Sequence, residues 1–250
     1  MTTTRTFEAP TLFVDILQQS HTLIAGQTGS GKSVMLNGIL TTACKQGNNW
    51  FILVDPKRVE LRDYKNMPTV LAYANTSAET VRALDKAISI MEQRYRDMEL
   101  QGIKQYEGDP VLVVIDELAD LLISADCKQI KKQLQTLTAL GRAARVKCIV
   151  ATQQPSRKML PAELTLNFPS RVALHCQTAI ESRQIINVKG AEDLPMYGIC
   201  LYLRPGHNIE DWVVRMTSEE EKLDAIRICT EVNTRKPQPK KIINIFKKAI

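Results

Sequence analysis

Only three histidines occur in the 250 residues, His21, His175 and His207, and none stands beside a cysteine at zinc-ligand spacing. The six cysteines, at 44, 127, 148, 176, 200 and 229, form no Cys-x-x-Cys pair. Their scatter argues against a disulfide framework and for reduced, mostly buried thiols in a cytoplasmic protein. Aromatic residues make up only 5%. No apolar run approaches the roughly 20 residues of a membrane span, and Met1–Glu8 has no apolar signal-peptide core. A membrane role would therefore need a partner. What is abundant is ordinary: 44% hydrophobic and 24% charged residues, enough for one sizeable core. The net charge of +6 permits a polyanionic partner without requiring one.

Short β-branched runs recur at Thr22–Ala25, Phe51–Val54, Val111–Ile115, Cys148–Ala151 and Val172–Leu174. Such runs fit strands buried on both faces. Helical patterns lie between them, over Lys32–Lys45, Ala78–Leu100 and Cys127–Arg142. Alternation of this kind predicts an α/β fold, a mostly parallel sheet with helices on both faces. Later, Ile199–Leu203 and Asp211–Met216 flank the turn-rich Arg204-Pro205-Gly206-His207-Asn208, which predicts an antiparallel C-terminal β-hairpin. Ser218 with Glu221 spells a capping box for a helix reaching about Val232. The expected organisation is a lead-in over 1–20, one globular domain over 21–235, and a basic tail over 236–250. In that tail Ile242, Ile243, Phe246, Ala249 and Ile250 would share one helical face, so it is either a solvated tail or a peptide that docks on a recruiting protein.

Gly26-Gln27-Thr28-Gly29-Ser30-Gly31-Lys32-Ser33 fits the phosphate-binding pattern G-x-x-x-x-G-K-[ST], between a predicted strand and a predicted helix. The glycines let backbone amides turn inward around phosphate oxygens, and the following helix adds its N-terminal dipole. Lys32 is expected on the β- and γ-phosphates of ATP, and Ser33 on Mg²⁺. The strand Val111–Ile115 runs into Asp116-Glu117. Asp116 is placed to hold Mg²⁺ through water, and Glu117 to orient and polarise an attacking water. Gln153 ends the strand before Gln154-Pro155 and is expected at the γ-phosphate or the lytic water. Asp120 reads as a solvated helix charge.

These motifs, with Asp55-Pro56-Lys57, Glu60-Leu61, Glu92-Gln93-Arg94-Tyr95, Gly141-Arg142-Ala143-Ala144, Asn167–Arg171, Ser182-Arg183 and Gly190-Ala191-Glu192, run in one order over roughly 18–216. In that order they resemble the RecA-like motor domain of the FtsK/SpoIIIE family of DNA translocases. The resemblance implies an ATPase that moves double-stranded DNA, independently of sequence, through a homo-oligomeric ring, a hexamer in that family. It makes Arg142 a candidate arginine finger on a neighbour's ATP and Arg183 a DNA-facing residue. The chain departs from the family at Gln154 and Thr165, where basic residues face DNA, and at Arg145, where a small residue stands. Arg157 and Lys158 lie near enough in sequence to substitute as DNA contacts. The family's membrane region, preceding small domain and winged helix have no counterpart here, so the expectation is a minimal motor from a mobile element or phage. A protein-secretion ATPase of the type VII kind shares the fold and loop, and is the alternative.

Overall fold

The computed structural model describes residues 9–155 and 162–232. Eight strands form one sheet: β1 (His21–Ala25), β2 (Trp50–Val54), β3 (Val70–Ala74), β4 (Val111–Ile115), β5 (Val146–Thr152), β6 (Ser170–Ala173), β7 (Ile199–Leu203) and β8 (Glu210–Val213). Their spatial order is β3-β2-β4-β5-β1-β6-β7-β8. The first six run parallel, and β7 and β8 add antiparallel to one edge, as the hairpin pattern predicted.

Strand alternation decides which face each side chain serves. Phe51 and Leu53 of β2, Leu112 and Val114 of β4, and Ile24 of β1 point to one layer. There α1 (Ala9–Gln18), α2 (Lys32–Gln46) and α8 (Glu219–Val232) cover the sheet. Trp50, Ile52 and Val54, with Val111, Val113 and Ile115, point to the other layer. That layer holds α3 (Ser77–Gln101), α4 (Leu118–Leu122), α5 (Cys127–Leu140) and α6 (Ala162–Thr165). A smaller cluster of Ala25, Ala173, Ile185, Ile186 and Ala191 seats α7 (Ala179–Ile186) against β6 and β7. Both faces are covered, which is why the strands read as continuous apolar runs.

Helix ends follow their capping chemistry. Thr76 caps α3 by accepting from Glu79 N at 3.2 Å. Thr178 and Glu181 close a capping box on α7. Ser218 and Glu221 close another before α8, with bonds of 3.1 and 3.0 Å, as their spacing predicted. The first helix is part of the packing: Leu12, Phe13, Ile16 and Leu17 are buried in the core. Asp15 binds the sheet edge by accepting from Tyr202 Oη and Arg204, each at 2.7 Å.

Among the departures from the sequence pattern are two boundaries and one strand. Helix α5 stops at Leu140, two residues before Arg142, and Gly141–Arg145 is a turn. β6 starts at Ser170 and contains Arg171, a residue a hydropathy reading passes over. Its guanidinium is buried because it donates to the carbonyls of Phe168, Thr165 and Ile185 at 2.9, 3.1 and 3.2 Å. β3 has no counterpart among the predicted strands. Val70-Leu71-Ala72-Tyr73-Ala74 is an edge strand, mostly half-buried, with small alanines diluting its pattern. Pro68 before it and Asn75 after it were the available signals.

Candidate nucleotide-binding and catalytic site

Three neighbouring strands, β4, β5 and β1, end at the same edge of the sheet, so the loops that follow them meet. The loop after β1 is Gly26–Gly31. Its backbone is held from both sides: Gly26 N donates to Thr152 O at 3.3 Å and Gln27 N to His175 O at 2.9 Å. Gly26 allows that close approach, since a Cβ there would lie 2.6 Å from Leu174 Cβ and 2.7 Å from Ser30 Oγ. Gly29 and Gly31 sit at φ of 83° and 95°, left-handed conformations that glycine adopts without penalty. Gly31 then starts α2, a 15-residue helix whose N-terminus has no side-chain cap. Its free amides and dipole face the loop, which fits a phosphate. The buried Ser30 Oγ also has no partner among the described residues.

The acidic strand tip sits against this loop. Lys32 and Asp116 form a buried ion pair, and Lys32 Nζ also donates to Asp116 O at 3.0 Å. Burial raises the Asp116 carboxyl above its ordinary range, with Lys32 opposing. Its second oxygen, Oδ2, is buried with no partner among the described residues. Ser33 Oγ donates to Glu60. The hydroxyl of Ser33 and the spare oxygen of Asp116 are hard donors of the kind Mg²⁺ takes, so this donor set fits that ion.

Glu117 is 1% exposed and caps α4. It also accepts from Thr152 Oγ1 at 2.8 Å and Gln153 N at 3.1 and 3.2 Å. Gln153 Oε1 in turn accepts from Thr28 Oγ1 at 2.9 Å. The structure therefore gathers Lys32, Ser33, Asp116, Glu117, Gln153 and residues 26–31, all anticipated from the sequence, at one edge.

It adds residues the motif reading left without roles. Asp55, fully buried, accepts from Val59 N, Leu61 N and Tyr73 Oη at 3.3, 3.1 and 3.2 Å. That cage shapes the loop after β2 so that Glu60 reaches Ser33 and Lys57 reaches Glu117 at 3.1 Å and Gln153 at 3.2 Å. Asp55-Pro56-Lys57 and Glu60 carry part of the resemblance, and their chemistry becomes visible only when β2 lies beside β4.

Arg142 is not in this cluster. It precedes β5, whereas the phosphate loop follows β1, and these strands run parallel with Ala25 beside Thr152. It therefore lies about one strand length, ~20 Å, from its own phosphate loop. The turn that carries it is tied down. Arg94 Nη1 donates to Ala144 O at 2.8 Å and Arg145 O at 3.2 Å, Nη2 to Asp109 O at 2.7 Å, and the guanidinium stacks over Tyr106 at 4.4 Å. Arg145 sits at φ 53°, the left-handed region, so the large residue here takes a conformation better suited to glycine.

Arg183 is exposed on α7. Its neighbour Ser182 is buried and clamps the following loop, donating to Val188 O at 2.7 Å and accepting from Ala191 N at 3.1 Å. The Ser-Arg and Gly-Ala-Glu motifs thus meet through a hydroxyl. Arg157, Lys158 and the tail over 236–250 lie outside the described residues.

The chain is similar to known proteins in sequence and in fold. Residues 5–110 match the model of the FtsK/SpoIIIE family. The chain is 34% identical over 242 residues to DNA translocase FtsK of Staphylococcus epidermidis, which covers 87% of this chain. It is 34% identical over 228 residues to DNA translocase FtsK 1 of Neisseria meningitidis, covering 77% of this chain. The chain belongs to the FtsK/SpoIIIE family. It spans about 30% of the length of the first relative and 28% of the second. Among solved structures, the pCW3 conjugation coupling protein TcpA, in its monomer form with ATPgS, superposes with a TM-score of 0.74 at 24% identity. That match covers 86% of this chain and 65% of TcpA. The cytoplasmic domain of the type VII secretion ATPase EccC from Thermomonospora curvata superposes at 0.68 and 19% identity, covering 84% of this chain and 28% of EccC. At these identities the structural likeness speaks for the fold alone, a RecA-like P-loop fold. Among the described residues no helix is long and apolar enough to cross a membrane.

Proposed function

We propose that this family member hydrolyses ATP and uses the energy to move double-stranded DNA as a ring of identical subunits. The observation that carries the catalytic half is the convergence of Lys32, Ser33, Asp116 and Glu117 on one sheet edge beside an uncapped helix N-terminus. In this reading Lys32 leaves Asp116 for the β- and γ-phosphates, where its charge offsets that of the triphosphate. Glu117, oriented by Thr152 and the Gln153 amide, takes the proton of the attacking water. Gln153 holds that water or senses the γ-phosphate. Ser33 and Asp116 would hold Mg²⁺, which supplies further positive charge to the phosphates when bound.

Arg142 is too far from its own phosphate loop to act there, which supports a finger role toward the ATP of a neighbouring copy. A ring would place such an arginine across an interface. DNA as the moved polymer rests on the 34%-identical relatives, both DNA translocases by name. The secretion reading has a fold match at only 19% identity, so DNA is favoured. Arg183, Arg157 and Lys158 are proposed to contact backbone phosphates, which carry no sequence information.

The deciding experiment is the ATPase rate with and without linear duplex DNA in Mg²⁺, alongside particle size. The wild type is expected to be DNA-stimulated and to form a ring, while Glu117→Gln binds ATP and does not turn over. Rates indifferent to DNA would refute the DNA half. Wild-type turnover by Glu117→Gln would refute the catalytic assignment.

A further inference from the structure

Glu117 is placed to take a proton from water, yet its acceptor capacity is already full. Oε1 accepts from Thr152 Oγ1 at 2.8 Å, Gln153 N at 3.1 Å and Ala119 N at 3.4 Å. Oε2 accepts from Gln153 N at 3.2 Å and Lys57 Nζ at 3.1 Å. A carboxylate offers about four lone-pair positions, so these donors leave none open for a water proton. One of them has to withdraw before Glu117 can act as a base.

The donors differ in how easily they can leave. The Ala119 and Gln153 amides are fixed by the backbone. Thr152 is fully buried in β5, and its hydroxyl is also held by accepting from Gln154 N at 3.2 Å. Lys57 is different: its side chain is 36% exposed and rides on a flexible four-carbon stem. The loop beneath it does not need to move, because Asp55 fixes residues 59 and 61. The ammonium also already faces the nucleotide side. It donates to Gln153 Oε1, the same oxygen that accepts from Thr28 of the phosphate loop. A triphosphate arriving at that loop brings several negative charges to compete for the ammonium.

We infer that Lys57 is a two-position switch. It holds Glu117 in the nucleotide-free protein and moves to the γ-phosphate of a bound triphosphate, which frees Oε2 of Glu117. The catalytic base is then released only when a γ-phosphate is present. A diphosphate has no group at that position and leaves Glu117 locked. The inference rests on the nucleotide reading above and adds to it the residue that distinguishes triphosphate from diphosphate.

The test is a double-mutant cycle read by binding. Affinities for ADP and ATPγS are measured in Mg²⁺ for wild type, Lys57→Met, Glu117→Gln and the double variant. Lys57→Met is expected to keep ADP affinity within about twofold and to lower the ATPγS-over-ADP preference about tenfold, the scale of one charge-assisted contact. Glu117→Gln removes the competing carboxylate and is expected to raise that preference severalfold. In the double variant the gain disappears, because no ammonium remains to move. Lys57→Arg keeps the charge and is expected to retain most of the preference, which separates the switch from a packing effect. An unchanged preference in Lys57→Met, or a Glu117→Gln gain that survives in the double variant, would overturn the switch alone. Wild-type protein that binds neither nucleotide would overturn the nucleotide reading and the switch with it.

Discussion

Removing Arg94 tests whether one side chain holds the turn that presents Arg142. Arg94 is 8% exposed and anchors two segments to α3: the turn at 144–145, and Asp109 with Tyr106 in the connection before β4. Burial draws its guanidinium pKa down from the usual arginine value, so its bonds are made at a desolvation cost. Each hydrogen bond to a charged donor contributes about 1.5–3 kcal/mol, and the contact with Tyr106 about 1 kcal/mol. Three bonds are not additive, because Arg145 O also accepts from Val111 N at 3.0 Å and keeps a partner. Subtracting the desolvation cost leaves about 3–4 kcal/mol for Arg94→Ala, at the upper end for a single substitution. Arg94→Lys should lose most of the same amount, since one ammonium cannot span carbonyls on two segments. The assay is equilibrium urea unfolding, with the midpoint shift converted through the slope. ADP affinity should stay within about twofold, because the phosphate loop lies at the opposite sheet edge. A loss below about 1 kcal/mol, or a lysine variant as stable as wild type, would refute the clamp.

Two further outcomes follow from the same geometry. His21 is buried beside Lys147, with Nδ1 accepting from Cys148 N at 3.1 Å and Nε2 without a partner among the described residues. Burial first, then Lys147, lowers its pKa from 6.5 to about 4, so folding favours the neutral ring. Its contribution is therefore complete above pH 6.5 and is lost as the pH falls toward 4; between pH 7.5 and 5 the loss is about 2 kcal/mol. Urea unfolding at both pH values should show that loss in wild type and not in His21→Asn, and equal slopes would refute the assignment. Arg142→Ala should bind ATP and hydrolyse it poorly, and mixing it with Lys32→Ala, which keeps Arg142 and lacks the phosphate cation, should restore part of the rate. Absence of rescue in rings shown to be mixed would count against a finger acting between subunits.

The residues whose chemistry is local were legible in the chain alone. Gly26–Ser33 is read directly because a phosphate loop is built from consecutive residues whose backbone conformations require glycine. Asp116 and Glu117 are read because a buried strand ending in two carboxylates is itself a contiguous pattern, and Ser218 with Glu221 because a capping box spans one turn. Tertiary structure decided whatever depends on strands distant in sequence becoming neighbours. Lys57 meets Glu117 across 60 residues and Gln153 across 96, contacts set by β2, β4 and β5 lying side by side. Arg171 and Arg94 stand in the sequence only as parts of longer motifs, and their burial becomes visible with the carbonyls around them, since a buried cation is paired by geometry that hydropathy does not encode. The separation of Arg142 from its own phosphate loop follows from strand direction: both strands run parallel, so a residue before one and a loop after the other must lie at opposite edges of the sheet.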